Sequence, residues 1–200
     1  MGNVMIINAS PRAPKSNSKQ YAQLFSKHCG LDVEYCEVKK SNHLTLCKMI
    51  ENYSDILFVF PLYADGIPVT LLNFLKTLEE NVPSKKPTIS VVVNCGFLEP
   101  YQNDIAVKML QLFAEKNGYP FGSAFKIGSG EAILSTPFRF LLNARMRKFA
   151  ISIVRKRYKT IQVTMPIPKK IFLKASTIYW ENYGKKNGIS KEEMERMEIE

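Results

Sequence analysis

Residues 3–18 read NVMIINASPRAPKSNS and contain the clearest indication of how the chain folds. The run from Asn3 to Asn8 is apolar without polar alternation, which is typical of a β-strand covered on both faces. A polar loop follows it, and Ser18–His28 then carries apolar residues at helical spacing. A buried strand, a loop and an amphipathic helix in this order predict the first unit of a parallel α/β sheet.

The same alternation of strand and helix patterns continues to about residue 130. Further strands are predicted at Leu31–Val38, Asp55–Phe60, Thr88–Asn94 and Tyr119–Ile127, and further helices at His43–Tyr53, Val69–Glu80 and Asn103–Lys116. Strands that alternate with helices form parallel sheets through right-handed crossovers, so we expect a three-layer, doubly wound α/β domain. Five strands in this length favour the flavodoxin-like strand order 2-1-3-4-5 over the six-stranded dinucleotide fold.

Two more helices are predicted in the C-terminal quarter. The first carries an apolar stripe at three- and four-residue spacing; its members are Phe138, Leu141, Leu142, Phe149, Ile153 and Val154. The second spans Lys169–Lys185, and the acidic residues from Ser190 onward predict a frayed helix. We expect a single domain over residues 1–200, with its core at 1–160 and a basic helical extension at 161–200.

The composition is that of a soluble globular protein. With 46% hydrophobic and 23% charged residues, the chain of 200 residues is neither disordered nor repetitive. Its most apolar segment, Ile56–Leu75, is interrupted by prolines, a glycine and an aspartate, which excludes a membrane span there. No export signal is recognisable, so we expect a cytoplasmic protein with reduced cysteines. The four cysteines form no CxxC pair, and no metal site is expected.

Positive charge is concentrated in one segment. The net charge is +10, yet Ala132–Trp180 contains eleven Lys and Arg residues and no Asp or Glu, which leaves 17 basic and 18 acidic residues elsewhere. A solvated helix face explains part of this pattern. Attraction to an acidic partner or to an anionic membrane surface is the alternative. Sequence-specific nucleic-acid binding is not expected, because no recognition motif is present.

Polar residues follow the first strand, at Ala9–Ser18. Ligands of doubly wound sheets bind at the carboxyl ends of the strands, so this loop belongs to the expected site. It offers hydroxyls, the Arg12 guanidinium and free backbone amides at a helix start, a combination that suits a phosphate. Helix capping by Ser16 or Ser18 is the alternative explanation. The loop contains neither GxxxxGK[ST] nor GxGxxG.

Two neighbouring strands also end in candidate loops. Pro61–Pro68 contains two prolines and a glycine that stiffen a turn around Tyr63, and a flat ring on a rigid turn suits packing against a planar heterocycle. Asn94–Gln102 contains Gly96, which permits close backbone approach, and polar groups that suit the edge of a ring.

Two of these segments resemble the flavodoxin-like NAD(P)H-dependent FMN reductase and quinone oxidoreductase family. NASPRAPKSNS, at residues 8–18, is similar to the family's phosphate loop, in which Ser-Pro-Arg is followed by Ser-Asn-Ser at a helix start. DILFVFPLYADGIPVTLLNFLK, at residues 55–76, is similar to its second flavin loop, a Pro-x-Tyr and a later Pro before an amphipathic helix. The resemblance covers residues 1 to about 130.

The resemblance implies FMN as cofactor, NAD(P)H as co-substrate and a quinone, flavin or similar small molecule as acceptor. Members often complete the flavin pocket across a two-fold interface, so a homodimer is expected. Hydride passes directly between nicotinamide and flavin, and no side chain is assigned as catalytic. The implied phosphate ligands are Ser10, Arg12, Ser16, Asn17 and Ser18. The implied ring contacts are Pro61, Leu62, Tyr63, Ala64, Asp65, Gly66, Asn94, Cys95, Gly96 and Phe97.

Some features separate this chain from parts of that family. Cys36 and Cys47 do not have the spacing of the cysteines that bind an iron–sulphur cluster in related flavoproteins, which excludes such a cluster. The loop after Asn94 lacks the Gly-Gly of the quinone-reductase branch, so the acceptor stays open. Cys95 is read as an apolar filler and Asp65 as a turn former. Two other functions stay open: a flavodoxin-type electron carrier, and an anionic-surface binder that uses residues 132–180.

Overall fold

The computed structural model describes residues 2–13 and 15–196, and the chain divides into two compact units, Met1–Met165 and Pro166–Glu200. The first unit contains a sheet with helices on both of its faces, and the second is a pair of helices. No helix in the described part of the chain is both long enough and apolar enough to cross a bilayer.

The sheet has six parallel strands in the order β2-β1-β3-β4-β5-β6. Their bounds are β1 Asn3–Asn8, β2 Asp32–Glu37, β3 Asp55–Pro61, β4 Thr88–Asn94, β5 Phe121–Ile127 and β6 Thr160–Val163. The central strands β3 and β4 are buried almost throughout, as their unbroken apolar sequences predict. The doubly wound, flavodoxin-like fold predicted from the sequence is therefore confirmed.

The predicted number of strands is wrong by one. β6 pairs in parallel with β5, with Ala124 opposite Thr160 and Ile127 opposite Val163, and it extends the predicted order 2-1-3-4-5 by an edge strand. Only alternate residues of β6 are buried, because one of its faces is open to solvent. Four residues with two apolar side chains are too short a pattern to identify a strand from sequence.

Helices cover both faces of the sheet in the first unit. Their bounds are α1 Asn17–Cys29, α2 His43–Ile50, α3 Val69–Glu80, α4 Asp104–Lys116, α5 Ala132–Ser135 and α6 Arg139–Val154, with a 3₁₀ turn at Pro100–Asn103. On one face, α2, α3 and α4 pack over a core that contains Phe58, Phe60 and Phe74. On the other, α1 packs against α6, and the Phe149 ring lies 5.8 Å from Phe25 and 5.4 Å from Phe125 between ring centroids.

The apolar stripe predicted before residue 155 only partly faces the core. Leu142, Phe149 and Ile153 of α6 are buried, whereas Val154 is partly exposed, and Phe140, outside the predicted stripe, is 64% exposed. The Arg and Lys residues of α6 are exposed. The helix therefore presents a basic outer face with apolar side chains among the charges.

The second unit is a helical hairpin of α7 (Lys169–Lys186) and α8 (Lys191–Arg196). Gly184 is buried because Met194 lies directly against it; a Cβ there would meet the Met194 sulphur. Ser190 and Glu193 form a reciprocal capping box at the start of α8, with the Ser190 amide donating to Glu193 Oε2 (2.6 Å). The predicted helix after Ser190 is thus present as α8, and residues 197–200 lie outside the described residues.

Candidate functional site

The carboxyl ends of β1, β3 and β4 border one cleft. Its volume is about 240 Å³, just below the roughly 300–1,000 Å³ usual for ligand-binding clefts. Parallel strands place their carboxyl ends at the same edge of a sheet, so three loops that are far apart in sequence meet here. The lining residues are Ser10, Arg12, Lys15, Ser16, Asn17, Ser18, Pro61, Tyr63, Asn94 and Glu131.

Asn8, the last residue of β1, fixes the loop that follows it. This residue is fully buried, and its side-chain oxygen accepts a hydrogen bond from the Ser10 amide (3.0 Å). Its side-chain amide donates to Ser16 Oγ (3.3 Å) and to the Tyr35 hydroxyl (2.8 Å). Tyr35 in turn donates to Glu37 (3.2 Å), and burial raises the pKa of the Tyr35 hydroxyl to about 12. Asn8 therefore connects both ends of the first loop to β2.

The start of α1 presents hydrogen-bond donors to the cleft. Ser16 is the N-cap, and its hydroxyl accepts from the Lys19 amide (3.2 Å). Within residues 2–13 and 15–196, the amides of Asn17 and Ser18 have no acceptor, which is the usual condition of the first helical turn. Arg12 and Lys15 add two exposed positive charges. Capping and anion binding are thus compatible, because the cap uses Lys19 and leaves the preceding amides unused.

The second loop is a tight turn that presents an aromatic ring. The Tyr63 amide donates to Gly66 O (3.1 Å) and the Gly66 amide to Tyr63 O (2.9 Å), which closes a two-residue hairpin. Ala64 and Asp65 between them have φ values of 45° and 57°. A pair of left-handed residues defines a type I′ turn, and Ala64 lacks the polar side chain that usually eases this conformation. Tyr63 is 42% exposed at the cleft.

Asn94 joins the second loop to α1. Its side-chain amide donates to Phe60 O (3.1 Å) and Ser18 Oγ (3.4 Å), and its backbone carbonyl accepts from the Leu62 amide (2.8 Å). The residue is 5% exposed and ends β4. Asn94 thus joins α1 to the end of β3 with its side chain and binds the second loop with its backbone carbonyl.

The third loop turns its cysteine away from the cleft. The Cys95 thiol is surrounded by the carbonyls of Phe97 (3.8 Å) and Ile127 (3.7 Å) and accepts from Asn103 Nδ2 (3.4 Å). Burial raises the pKa of this thiol, which keeps it protonated at neutral pH. Cys95 is thus placed as an interior residue, whereas Phe97 is half exposed and space around Gly96 is open.

The loop after β5 forms a fourth wall, which the sequence reasoning missed. Gly130 donates its amide to Cys95 O (2.8 Å) and accepts a hydrogen bond from the buried Tyr21 hydroxyl at its carbonyl. Burial raises the pKa of Tyr21, which remains a neutral donor. Gly128 approaches so closely that a Cβ would lie 2.5 Å from Leu98 O. Glu131, next in the chain, adds a carboxylate to the cleft.

The structure brings eight of the fifteen sequence-predicted residues to the cleft lining: Ser10, Arg12, Ser16, Asn17, Ser18, Pro61, Tyr63 and Asn94. The other seven lie outside it: Leu62, Ala64, Asp65, Gly66, Cys95, Gly96 and Phe97. Leu62 packs against the hydrophobic core. Gly66 lies beside Met109, and a Cβ added to this glycine would be 3.4 Å from the Met109 sulphur. Lys15 and Glu131 line the cleft without having been predicted. The Gly-Ser-Gly sequence at residues 128–130, directly after a strand, was a usable signal for the wall that carries Glu131.

Comparison with known proteins places this site in a familiar fold. No family model and no curated sequence matches the chain. Among solved structures, a flavodoxin from Streptococcus pneumonia TIGR4 is 17% identical with a TM-score of 0.56 over 77% of this chain and 99% of its own. An NADPH-quinone reductase from P. pentosaceus is 15% identical, with a TM-score of 0.57 over 75% and 98%. An azoreductase from Bacillus anthracis is 15% identical, with a TM-score of 0.52 over 78% and 100%. These likenesses establish the flavodoxin-like fold.

Proposed function

We propose that this protein is an oxidoreductase that binds FMN in the described cleft and transfers reducing equivalents from NAD(P)H to a small acceptor. The observation that carries the proposal is the meeting of three features at the carboxyl edge of one flavodoxin-like sheet: a helix start whose first amides have no acceptor among residues 2–13 and 15–196, two cations and an exposed tyrosine ring. A phosphate and a planar heterocycle are the two ends of FMN, joined by a ribityl chain. The solved structures of the same fold include a quinone reductase and an azoreductase.

The first loop fits the phosphate. The amides of Asn17 and Ser18 and the hydroxyls of Ser10, Ser16 and Ser18 supply neutral donors, and the helix start adds a partial positive charge. Arg12 supplies a planar fork that binds two phosphate oxygens at once. Hydrogen bonds to charged groups contribute about 1.5–3 kcal/mol each, so a few of them suffice for a micromolar affinity.

The second loop fits the ring. Its type I′ turn fixes the Tyr63 backbone, because the hairpin closes on itself through two backbone hydrogen bonds. Binding of a flat ligand then orders only the two side-chain torsions of the ring and not the loop that carries it. Asn94 joins this loop to α1 through its contacts with Leu62 and Ser18. A ligand that reaches from Arg12 to Tyr63 would therefore meet an already formed site.

Bound FMN supplies the redox chemistry itself, by accepting hydride from the nicotinamide and passing it to the acceptor. The chain's own contribution is positioning. The backbone around Gly96 has open space beside it and suits the polar edge of the ring. The Cys95 thiol faces the interior, so we assign it no redox role. Quinones, flavins and similar small molecules are the proposed acceptors, in a cytoplasmic homodimer.

A spectroscopic titration followed by reduction tests the function. We expect the purified protein to bind added FMN, with a perturbed absorbance band in the blue. NADPH or NADH under anaerobic conditions should then bleach that band, and adding a benzoquinone should restore it. Addition of the two nucleotides in turn identifies the preferred donor. A protein that leaves the FMN spectrum unchanged at micromolar concentrations would contradict the proposal.

The same experiment separates the enzyme from the electron carrier. A carrier binds FMN but is not reduced by either nicotinamide, and it accepts electrons only from a chemical reductant or a partner reductase. Bleaching by dithionite without bleaching by NAD(P)H would therefore replace the enzymatic proposal by the carrier. Light scattering of the FMN-bound protein measures the oligomeric state, for which we expect two copies.

A further inference from the structure

Helix α7 of the second unit exposes an apolar face. At 100° per residue, Phe172, Leu173, Tyr179, Trp180 and Tyr183 fall on one side of the helix. Four of these side chains are about half exposed: Leu173 at 53%, Tyr179 at 48%, Trp180 at 50% and Tyr183 at 54%. Lys169 and Ser176 fall within the same arc, and the exposed Ile171 and Ile178 lie on the other side of the helix, so this face is an aromatic patch rather than an unbroken apolar surface. A patch of contacting, half-exposed aromatic rings still marks an interaction site.

Three aromatic rings of this face contact one another. The Trp180 ring lies 5.2 Å from Tyr179 and 5.9 Å from Tyr183, and the two tyrosine rings stack at 6.4 Å. Tryptophan and tyrosine combine an apolar body with a polar edge, so they favour surfaces where water meets hydrocarbon. Protein–protein interfaces are also enriched in such rings, so the choice between a membrane and a protein partner depends on the charge around them.

Positive charge lies along the same helix. α7 contains five lysines, Lys169, Lys170, Lys174, Lys185 and Lys186, and a single acid, Glu181. Glu181 is paired with Lys191 of α8 at 3.2 Å, which offsets its charge locally. At 100° per residue, Lys169, Lys170 and Lys186 lie within or beside the apolar arc, where lysine stems can extend along apolar area while their ammonium groups reach polar headgroups. Lys174 and Lys185 lie on the opposite side. The helix thus combines exposed aromatic side chains with excess positive charge, two features found in interfacial helices.

We propose that α7 binds anionic phospholipid surfaces, with its aromatic face in the headgroup region and its lysines on the lipid phosphates. Pairing of α7 with α7 of a second copy would bring two helices of net charge +4 together, although residues 166–200 as a whole carry only +1 because most of their acids follow α7. An anionic bilayer supplies opposite charge and an apolar layer at the same time. This inference concerns the second unit and does not depend on flavin binding.

The chain's single tryptophan is Trp180, so its fluorescence reports on this face alone. We expect a blue shift and protection from iodide when the full chain meets vesicles of equal parts phosphatidylcholine and phosphatidylserine. Vesicles of pure phosphatidylcholine should give little shift, and raised salt should reverse the binding. Titration with vesicles gives the partition coefficient.

Two sets of variants separate the apolar from the electrostatic contribution. The double variant Leu173→Ser with Tyr183→Ser should lower the partition coefficient at least about tenfold, since both side chains lose apolar area at the surface. Lys170→Gln with Lys186→Gln should lower it about tenfold or more on anionic vesicles, because each lysine near such a surface contributes about fivefold. Leu112→Ser on α4 removes an equally exposed leucine of the first unit and should change nothing.

Three outcomes would overturn the proposal. The first is an unchanged Trp180 spectrum with anionic vesicles while circular dichroism shows a folded chain. The second is equal binding to both vesicle types without an effect of the lysine variants. The third is a Trp180 emission maximum that is blue-shifted already in lipid-free protein, with a dimer in light scattering. If Leu173→Ser reversed this shift and also removed the dimer, the face would belong to an interface with a second copy.

Discussion

The two units of this chain use aromatic residues in opposite ways. In the first unit, Phe25, Phe125 and Phe149 form a contacting cluster with no exposure between α1, the sheet and α6. In the second, Tyr179 and Trp180 belong to a contacting cluster that is about half exposed. Burial of apolar area is the main force for folding. The first cluster therefore stabilises the fold of its unit, while the second leaves apolar surface exposed, where a partner can bury it.

A similar contrast applies to polar groups. The cleft of the first unit is held by buried side chains such as Asn8 and Asn94, each with several hydrogen-bond partners. The second unit uses exposed groups, as in the Ser190–Glu193 capping box. Binding in the first unit should thus depend on fixed geometry, and binding in the second on area and charge.

Removal of one aromatic ring from each cluster should lower the free energy of unfolding by very different amounts. Phe149→Ala should lower the free energy of unfolding by about 3–5 kcal/mol, because it removes a fully buried ring and leaves a cavity. Trp180→Ala should change it by less than about 0.5 kcal/mol, because surface substitutions rarely do more. Urea denaturation followed by circular dichroism measures both. Equal losses for the two variants would contradict the assignment of separate roles.

Loss of the Asn8 side chain should disturb the first loop. Asn8→Ala leaves the buried Ser10 amide without its acceptor and the Tyr35 hydroxyl without its donor, which costs about 1–3 kcal/mol of stability. Affinity for FMN should fall as well, since Ser10 and Ser16 lose their anchor. Asn73→Ala, on the exposed side of α3, is the matched control and should change neither property.

Alkaline pH should weaken the first unit between about pH 10 and pH 12. Burial raises the pKa of Tyr35 and of Tyr119 from 10.0 to about 12. The folded state then holds these protons more tightly than the unfolded state. Their stabilising contribution is complete below pH 10 and is lost as the pH rises to about 12, a loss of order 1–2 kcal/mol after allowance for partial exposure. Urea titrations at several alkaline pH values measure it; a stability that stays flat across this interval would count against it.

Glycine should have opposite effects at two alanines. Ala64 has φ 45°, a left-handed conformation that glycine adopts without steric cost, so Ala64→Gly should stabilise the protein by about 1 kcal/mol. Ala144→Gly, at an exposed position inside α6, should destabilise it by about 1 kcal/mol. Thermal unfolding of both variants provides the comparison. A destabilised Ala64→Gly protein would mean that the turn does not carry this strain.

Most of the sheet could be predicted because its strands are buried on both faces. Sequences such as NVMIIN and TISVVVN contain long apolar runs, and β1 and β4 occur with the predicted bounds. The edge strand β6 was not predicted, because its four residues form a strand through pairing with β5 and not through a pattern of their own. Local patterns identify central strands well, whereas edge strands depend on partners distant in sequence.

In the candidate site too, features set by local sequence were predicted and features set by distant contacts were not. The loops after β1, β3 and β4 were predicted from their position after buried strands, and eight of their residues line one cleft. Asn8 was read only as a strand end, since its role depends on Tyr35, which lies on another strand. Glu131 lies in the loop after β5, which the predicted strand order already places beside β4, so its place at the cleft was open to prediction. Which side chains of a loop face inward, as Leu62 does against the hydrophobic core, depends on contacts that the sequence does not encode locally.

The most direct test of the proposed site compares FMN with riboflavin, which lacks the phosphate. Calorimetric titration should show FMN binding about 100-fold tighter or more, because the charged contacts of the first loop act on the phosphate alone. Arg12→Ala should weaken FMN about tenfold or more and leave riboflavin unchanged, while Arg145→Ala on α6 should alter neither. Equal affinity for the two flavins, or an Arg12→Ala variant that binds FMN as well as the parent, would contradict the assignment of the first loop to a phosphate.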